Sequence, residues 1–144
     1  MKTIDTLFEN NNQNKFSFLL IAKDGMDHNT VSVLEEKLKE KINVVTVKSS
    51  KLTIDELNYA VQKSNFVITG IGRTLEIVLE NKIPALIDAG VNTIVQEYPS
   101  FIDFFDPFRN EQTKPYYTKK ELDLFLQEVY TQLDKHKIDY VNYM

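Results

Sequence analysis

No cysteine occurs among the 144 residues, which removes disulfides, thiolate metal sites and cysteine nucleophiles together. Histidine is almost as scarce: His28 and His136 stand far apart, neither has carboxylates at metal-ligand spacing, and no metal site is expected. No apolar run approaches the roughly 20 residues of a membrane span, and Met1-Lys2-Thr3 is not followed by the apolar core of a signal peptide. The expectation is a cytoplasmic protein. Positive charge is not in excess, since 21 acidic residues face 17 basic ones. The lysines are spread among acids rather than gathered into a stripe, so nucleic acid is not an expected partner. Paired acid/base carboxylates, a Ser-His-Asp order and a Walker lysine are also missing as patterns. Asp24, Asp27, Asp88 and Asp103 are scattered acids; Asp88 has the best position among them, at the end of a strand, but a loop-capping aspartate is the commoner occupant of such a position. Catalytic residues are therefore unassigned, and no cofactor is implied.

What the chain does contain is one stretch, Asn65 to Gly90, that reads as strand, glycine loop, helix and strand in immediate succession. Phe66-Val67-Ile68-Thr69 is an apolar, β-rich run that breaks at Gly70-Ile71-Gly72. Leu75, Val78 and Leu79 then recur at helical spacing. Pro84 closes the helix, and Ala85-Leu86-Ile87 suits a parallel strand covered on both faces. Such a βαβ unit brings a close-approach glycine loop and the positive end of a helix into one place, where an anion is the natural guest. The same glycines also serve a tight turn without any ligand. Arg73 stands where a cation does not suit the helix dipole, which points to a ligand phosphate, a nearby carboxylate or a solvated side chain.

Around this unit the remaining elements alternate. Residues 1–15 read as an N-terminal segment, with Ile4, Leu7 and Phe8, running into a polar linker, and residues 16–144 as a single domain. Phe16 to Ala22 is the first strand, and Gly25 lies in the loop at its carboxyl end. Val31, Leu34 and Leu38 mark an amphipathic helix over 29–41. Ile42 to Val47 is a strand, and Thr53-Ile54-Asp55-Glu56 has the spacing of a reciprocal helix cap. Thr118 to Glu121 repeats that spacing ahead of Leu122, Phe125, Leu126, Val129 and Leu133, the clearest amphipathic helix in the chain. The expected fold class is α/β, a three-layer Rossmann-like domain with a parallel sheet of at least four strands near 16–22, 42–47, 66–69 and 84–88. Val91 to Arg109 is crowded with aromatics, and reads either as core cover or as a partner surface.

The run of strand, Gly-x-Gly loop, Thr74-Leu75-Glu76, helix, Asn81-Lys82-Ile83-Pro84 and strand resembles the donor-binding segment in the C-terminal half of GT-B glycosyltransferases, including CDP-glycerol transferase-like domains. The motif spans about 25 residues, and the order of elements extends the likeness over most of the chain. The resemblance implies that Gly70, Ile71, Gly72, Arg73 and Thr74 hold the diphosphate of a nucleoside diphosphate sugar and that Glu76 holds the ribose. Glu76 also suits a plain first-turn glutamate. The chain departs from the pattern in carrying Arg73 where small or hydroxyl residues are usual and in lacking the acceptor-binding half. With that half absent, the resemblance admits a donor-binding subunit that acts with a partner chain or as a homo-oligomer, peripheral to a membrane through that partner; an excised domain; or a diverged, non-catalytic relative. The competing expectation is a non-catalytic Rossmann-like module for nucleotide sensing or protein interaction.

Overall fold

The apolar runs become strands at nearly the expected places. The computed structural model describes residues 1–13, 16–90, 93–95 and 118–142. Within them lie β1 (Phe18–Ala22), β2 (Asn43–Val47), β3 (Phe66–Gly70) and β4 (Ala85–Gly90), all parallel, and a short β5 (Thr93–Val95) that returns antiparallel to β4. The sheet order is β2-β1-β3-β4-β5. Leu20 pairs with Val45 on one side and Val67 on the other, and Ile68 pairs with Leu86. Every residue of β3 is buried, which is why its sequence is an unbroken apolar run rather than an alternation.

Five helices are described: α1 (Lys2–Asn10), α2 (His28–Leu38), α3 (Ile54–Lys63), α4 (Arg73–Asn81) and α5 (Lys119–Lys135). The pleat of the strands divides the core in two. Leu20, Ala22, Val45, Val67 and Ile87 pack with Ile4, Phe8, Leu57, Ala60, Val61 and Val78, so α1, α3 and α4 cover one face. Leu19, Ile21, Val44, Ile68 and Leu86 pack with Val31, Leu34, Phe125, Val129 and Leu133, so α2 and α5 cover the other. The result is the expected three-layer, Rossmann-like arrangement. Burying each such side chain is worth about 1.5–3 kcal/mol, enough in sum to hold both layers to the sheet.

The helix starts are set by local chemistry. Thr53 accepts from the Glu56 amide at 3.1 Å while Glu56 accepts from the Thr53 amide at 2.9 Å. Thr118 and Glu121 repeat the exchange at 3.2 Å in both directions. Asp27 caps α2 by accepting from the Thr30 amide at 3.1 Å, so this helix begins at His28, one residue ahead of the 29–41 expected; it ends at Leu38, three residues early. At the far end of α4 the closing device is Lys82 in a left-handed conformation, φ 55°, two residues ahead of Pro84.

The N-terminal segment differs most from its reading as a prelude to the domain. It forms α1, with Ile4 and Phe8 in the core, because the i, i+4 spacing of those two residues puts them on one helical face. Asp5 fastens the helix to α3, accepting from the Tyr59 hydroxyl at 2.6 Å and pairing with Lys63 at 3.1 Å. After α5, Lys137 turns the chain at φ 57°. Tyr140 then stacks on Tyr130 with ring centres 6.2 Å apart and donates to Asp134 at 2.6 Å, and the Val141 amide donates to the Lys41 carbonyl at 2.9 Å. The aromatic surface anticipated over Val91 to Phe108 lies outside the described residues, β5 excepted.

Candidate ligand-binding site

In the order β2-β1-β3-β4 the chain leaves β1 toward one edge and later resumes on its other side. The crevice between the carboxyl ends of β1 and β3 is thus the topological switch point, where open α/β sheets bind ligands. Two loops meet there, Lys23 to Asp27 after β1 and Ile71-Gly72 after β3. They are pressed together. A Cβ added to Gly70 would lie 2.1 Å from the Asp24 carbonyl oxygen, and one added to Gly72 would lie 2.5 Å from the Asp24 Cβ. Gly25, at φ +64°, backs onto the Ile71 carbonyl. The Gly70-Ile71-Gly72 pattern therefore has a structural cause of its own: close packing of one loop on the other.

Asp24 ties the loops together. Its Oδ2 accepts from the Thr74 amide at 3.0 Å and from the Thr74 hydroxyl at 2.7 Å. Gly72, the residue ahead of α4, offers no side chain to cap the helix, and Asp24 supplies the missing acceptor from 50 residues away. A carboxylate at this end also suits the helix dipole. The charge that belongs at the first turn of α4 is thus furnished by the chain itself. The other oxygen, Oδ1, is buried and has no hydrogen-bond partner among the described residues.

Above the loops lies a cleft of about 350 Å³ whose lining includes Lys23, Asp24, Lys48, Ser49, Ser50, Ile71 and Arg73. The lining thus carries three cationic residues and one carboxylate, and that carboxylate is already hydrogen-bonded. Ile71 contributes an apolar surface and is 40% exposed. Two smaller clefts, of about 230 and 290 Å³, lie at the opposite, amino-terminal ends of the strands, beside Asn43 and Phe18.

Arg73 has a specific local role. Its Nη2 donates to the backbone carbonyls of Ser49 and Leu52, at the two ends of the 3₁₀ turn Ser49–Lys51 that follows β2. The cation at the first turn of α4 is therefore accounted for by two carbonyl dipoles, neither a carboxylate nor open water. Of the six residues expected to bind substrate, Ile71, Gly72 and Arg73 line the cleft. Gly70 lies buried beneath it, Thr74 is fully buried and committed to Asp24. Glu76 is exposed on α4 and is not among the residues lining the cleft.

The scattered acids separate cleanly. Asp27 caps α2, Asp88 is buried within β4, two residues before its end and in register with Gly70, and Asp103 lies outside the described residues. His28 is the exposed first residue of α2. His136 ends α5, with its ring 6.5 Å from that of Phe66; burial, and secondarily Lys135, lower its pKa from the usual value. Among the described residues no group of three or more His, Asp or Glu side chains could hold a metal ion, and no helix is long and apolar enough to cross a membrane. Sequence reasoning passed over Lys23 and Lys48. The available signal was their position, each the first residue after an apolar strand and so at the carboxyl edge of the sheet. Set against protein-family models, curated proteins and solved structures, the chain matches none of them.

Proposed function

We propose that this domain binds a phosphate-bearing nucleotide, a nucleoside diphosphate or its sugar, in the cleft at the carboxyl ends of β1, β2 and β3. The observation that carries the reading is the charge of that cleft: Lys23, Lys48 and Arg73 line it against Asp24 alone, in a chain whose net charge is −4. A concave site with one sign of charge concentrates ligands of the other. Its volume of about 350 Å³ falls at the lower end of small-molecule sites. Ile71 offers the apolar contact that a base or ribose would use and inorganic phosphate would not.

The chemistry supported is binding and electrostatic stabilisation. In the glycosyl-transfer version of the reading, drawn from the resemblance of residues 66–88 to a donor-binding segment, the cations of the cleft stabilise a leaving nucleoside diphosphate. The acceptor and its base then come from outside this domain. The nucleotide-sensing version draws on a different observation, namely that Asp24 and Arg73 are both engaged in protein contacts.

A thermal-shift screen of nucleoside diphosphates and their sugars tests the common core of both. A ligand at 100 times its dissociation constant adds about 2.7 kcal/mol to the folded state, a rise of about 9 °C for a chain of this size. No shift with any nucleotide at millimolar concentration would sink the reading. Transfer or hydrolysis of the sugar on mixing with a partner fraction separates the two versions.

A further inference from the structure

We infer that the phosphate in this cleft is gripped by Lys23 and Lys48, and that Arg73 is a positioning residue which holds the Lys48 wall in place. The inference rests on the nucleotide-binding reading and assigns the contacts within it. It starts from what is already occupied. The first turn of α4, the usual seat for a phosphate beside a glycine loop, is taken by the Asp24 carboxylate through two hydrogen bonds to Thr74. A phosphate seated there would meet a like charge. Arg73 in turn spends its Nη2 on the carbonyls of Ser49 and Leu52.

Those two bonds have a geometric consequence. The 3₁₀ turn at 49–51 is short, its N-cap residue Lys48 makes no side-chain cap, and Ser50 and Lys51 are exposed. Arg73 is the side chain that fastens both ends of this turn to α4. Lys48 immediately precedes the fastened Ser49, so the Arg73 tie fixes the backbone from which the Lys48 side chain reaches the cleft. Lys23 is held from the other side, where its amide donates to the Val47 carbonyl at 3.1 Å. Two lysines thereby have their backbones fixed at the ends of adjacent strands β1 and β2, both lining the cleft. Each is a compact point charge with three donors, suited to the terminal oxygens of a diphosphate rather than to a planar, bidentate partner.

Making the Arg73 change with and without Lys48 tests this. Calorimetry would follow inorganic pyrophosphate and UDP or CDP on the wild type, on Lys48→Ala, Lys23→Ala, Arg73→Lys and Arg73→Met, and on Arg73→Met combined with Lys48→Ala. Lysine keeps most of the reach and a donor for the backbone carbonyls, whereas methionine has no donor. The expected pattern is about tenfold or greater weakening of pyrophosphate by each substitution at Lys23 and Lys48, the scale of one hydrogen bond to a charged group. Arg73→Met should cost about tenfold by itself and little more once Lys48 is alanine. Should Arg73→Met not fold, Arg73→Gln, whose amide is too short to reach the same carbonyls, takes its place in the cycle. If the losses at Arg73 and Lys48 add in full in the double variant, Arg73 acts on the ligand directly and the inference is overturned. Unchanged affinity in Lys48→Ala overturns it as well. A wild type that binds neither pyrophosphate nor nucleotide overturns the nucleotide reading itself, a result distinct from either of these.

Discussion

Replacing Gly72 with alanine would drive a methyl group into Asp24. The backbone itself raises no objection, because φ at Gly72 is 178°, extended geometry open to any residue. Restricting the unfolded chain would even favour alanine by about 0.4–1 kcal/mol. The added Cβ, however, would lie 2.5 Å from the Asp24 Cβ and 2.9 Å from its Oδ2. The carboxylate would have to withdraw, losing its bonds to the Thr74 amide at 3.0 Å and hydroxyl at 2.7 Å. Hydrogen bonds to a charged group are worth about 1.5–3 kcal/mol each, and Asp24 recovers part of this from water because it is only partly buried. The net cost is about 1.5–2.5 kcal/mol after the alanine entropy is credited. With an unfolding entropy of about 2.1 cal/mol/K per residue, the melting temperature falls by about 5–8 °C. Urea titration of the wild type and variant measures it. The double-mutant cycle with Asp24→Gly then identifies the cause: in that background both colliding atoms are gone, and Gly72→Ala should be nearly neutral. A wild-type midpoint in Gly72→Ala, or an undiminished cost in the Asp24→Gly background, would refute the account of this loop.

Other consequences follow from the same contacts. Phe125 of α5 is fully buried against the sheet, and Phe125→Ala should lower stability by about 3–5 kcal/mol in chemical denaturation; a loss below about 1 kcal/mol would mean that α5 is not seated on the sheet. The hydrogen bond from Tyr59, and next the one from Lys63, hold the Asp5 carboxyl below its ordinary 3.8. Its contribution to the docking of α1 is thus fully present above that pH and is lost as the pH falls through the lowered value. A carboxyl resonance of Asp5 titrating at or above 3.8 would contradict the contact. Burial, and then the bond to Asp134, push the Tyr140 hydroxyl up to about 12. Stability from the C-terminal clasp should therefore be complete below pH 10 and decline as the pH rises toward 12. Ultraviolet titration of wild type against Tyr140→Phe would show one late-ionising phenol missing, and an unchanged curve would argue against it.

What sequence alone determined was whatever depends on near neighbours. The strands were legible because burial on both faces demands short unbroken apolar runs. Both Thr-x-x-Glu caps were legible because the two partners lie three residues apart, within reach of a single helical turn. α1 was not read as a helix: Ile4, Leu7 and Phe8 stood out as apolar positions, but the sequence did not show that Tyr59 and Lys63 on α3 would meet Asp5. The site divided along the same line. A glycine loop between strand and helix could be read, together with the cleft residues Ile71, Gly72 and Arg73 that belong to it. The partners that give those residues their roles are remote in sequence. Asp24 reaches Thr74 across 50 residues, and Arg73 reaches Ser49 and Leu52 across 24 and 21. No local pattern encodes such pairings, because they exist only once β1, β2 and β3 lie side by side and bring three chain-distant loops to one edge of the sheet. Tertiary structure alone therefore decided that the carboxylate beside the glycines is internal and that Arg73 is tied to carbonyls. For the same reason, it alone showed that two lysines from neighbouring strand ends share a cleft with Arg73.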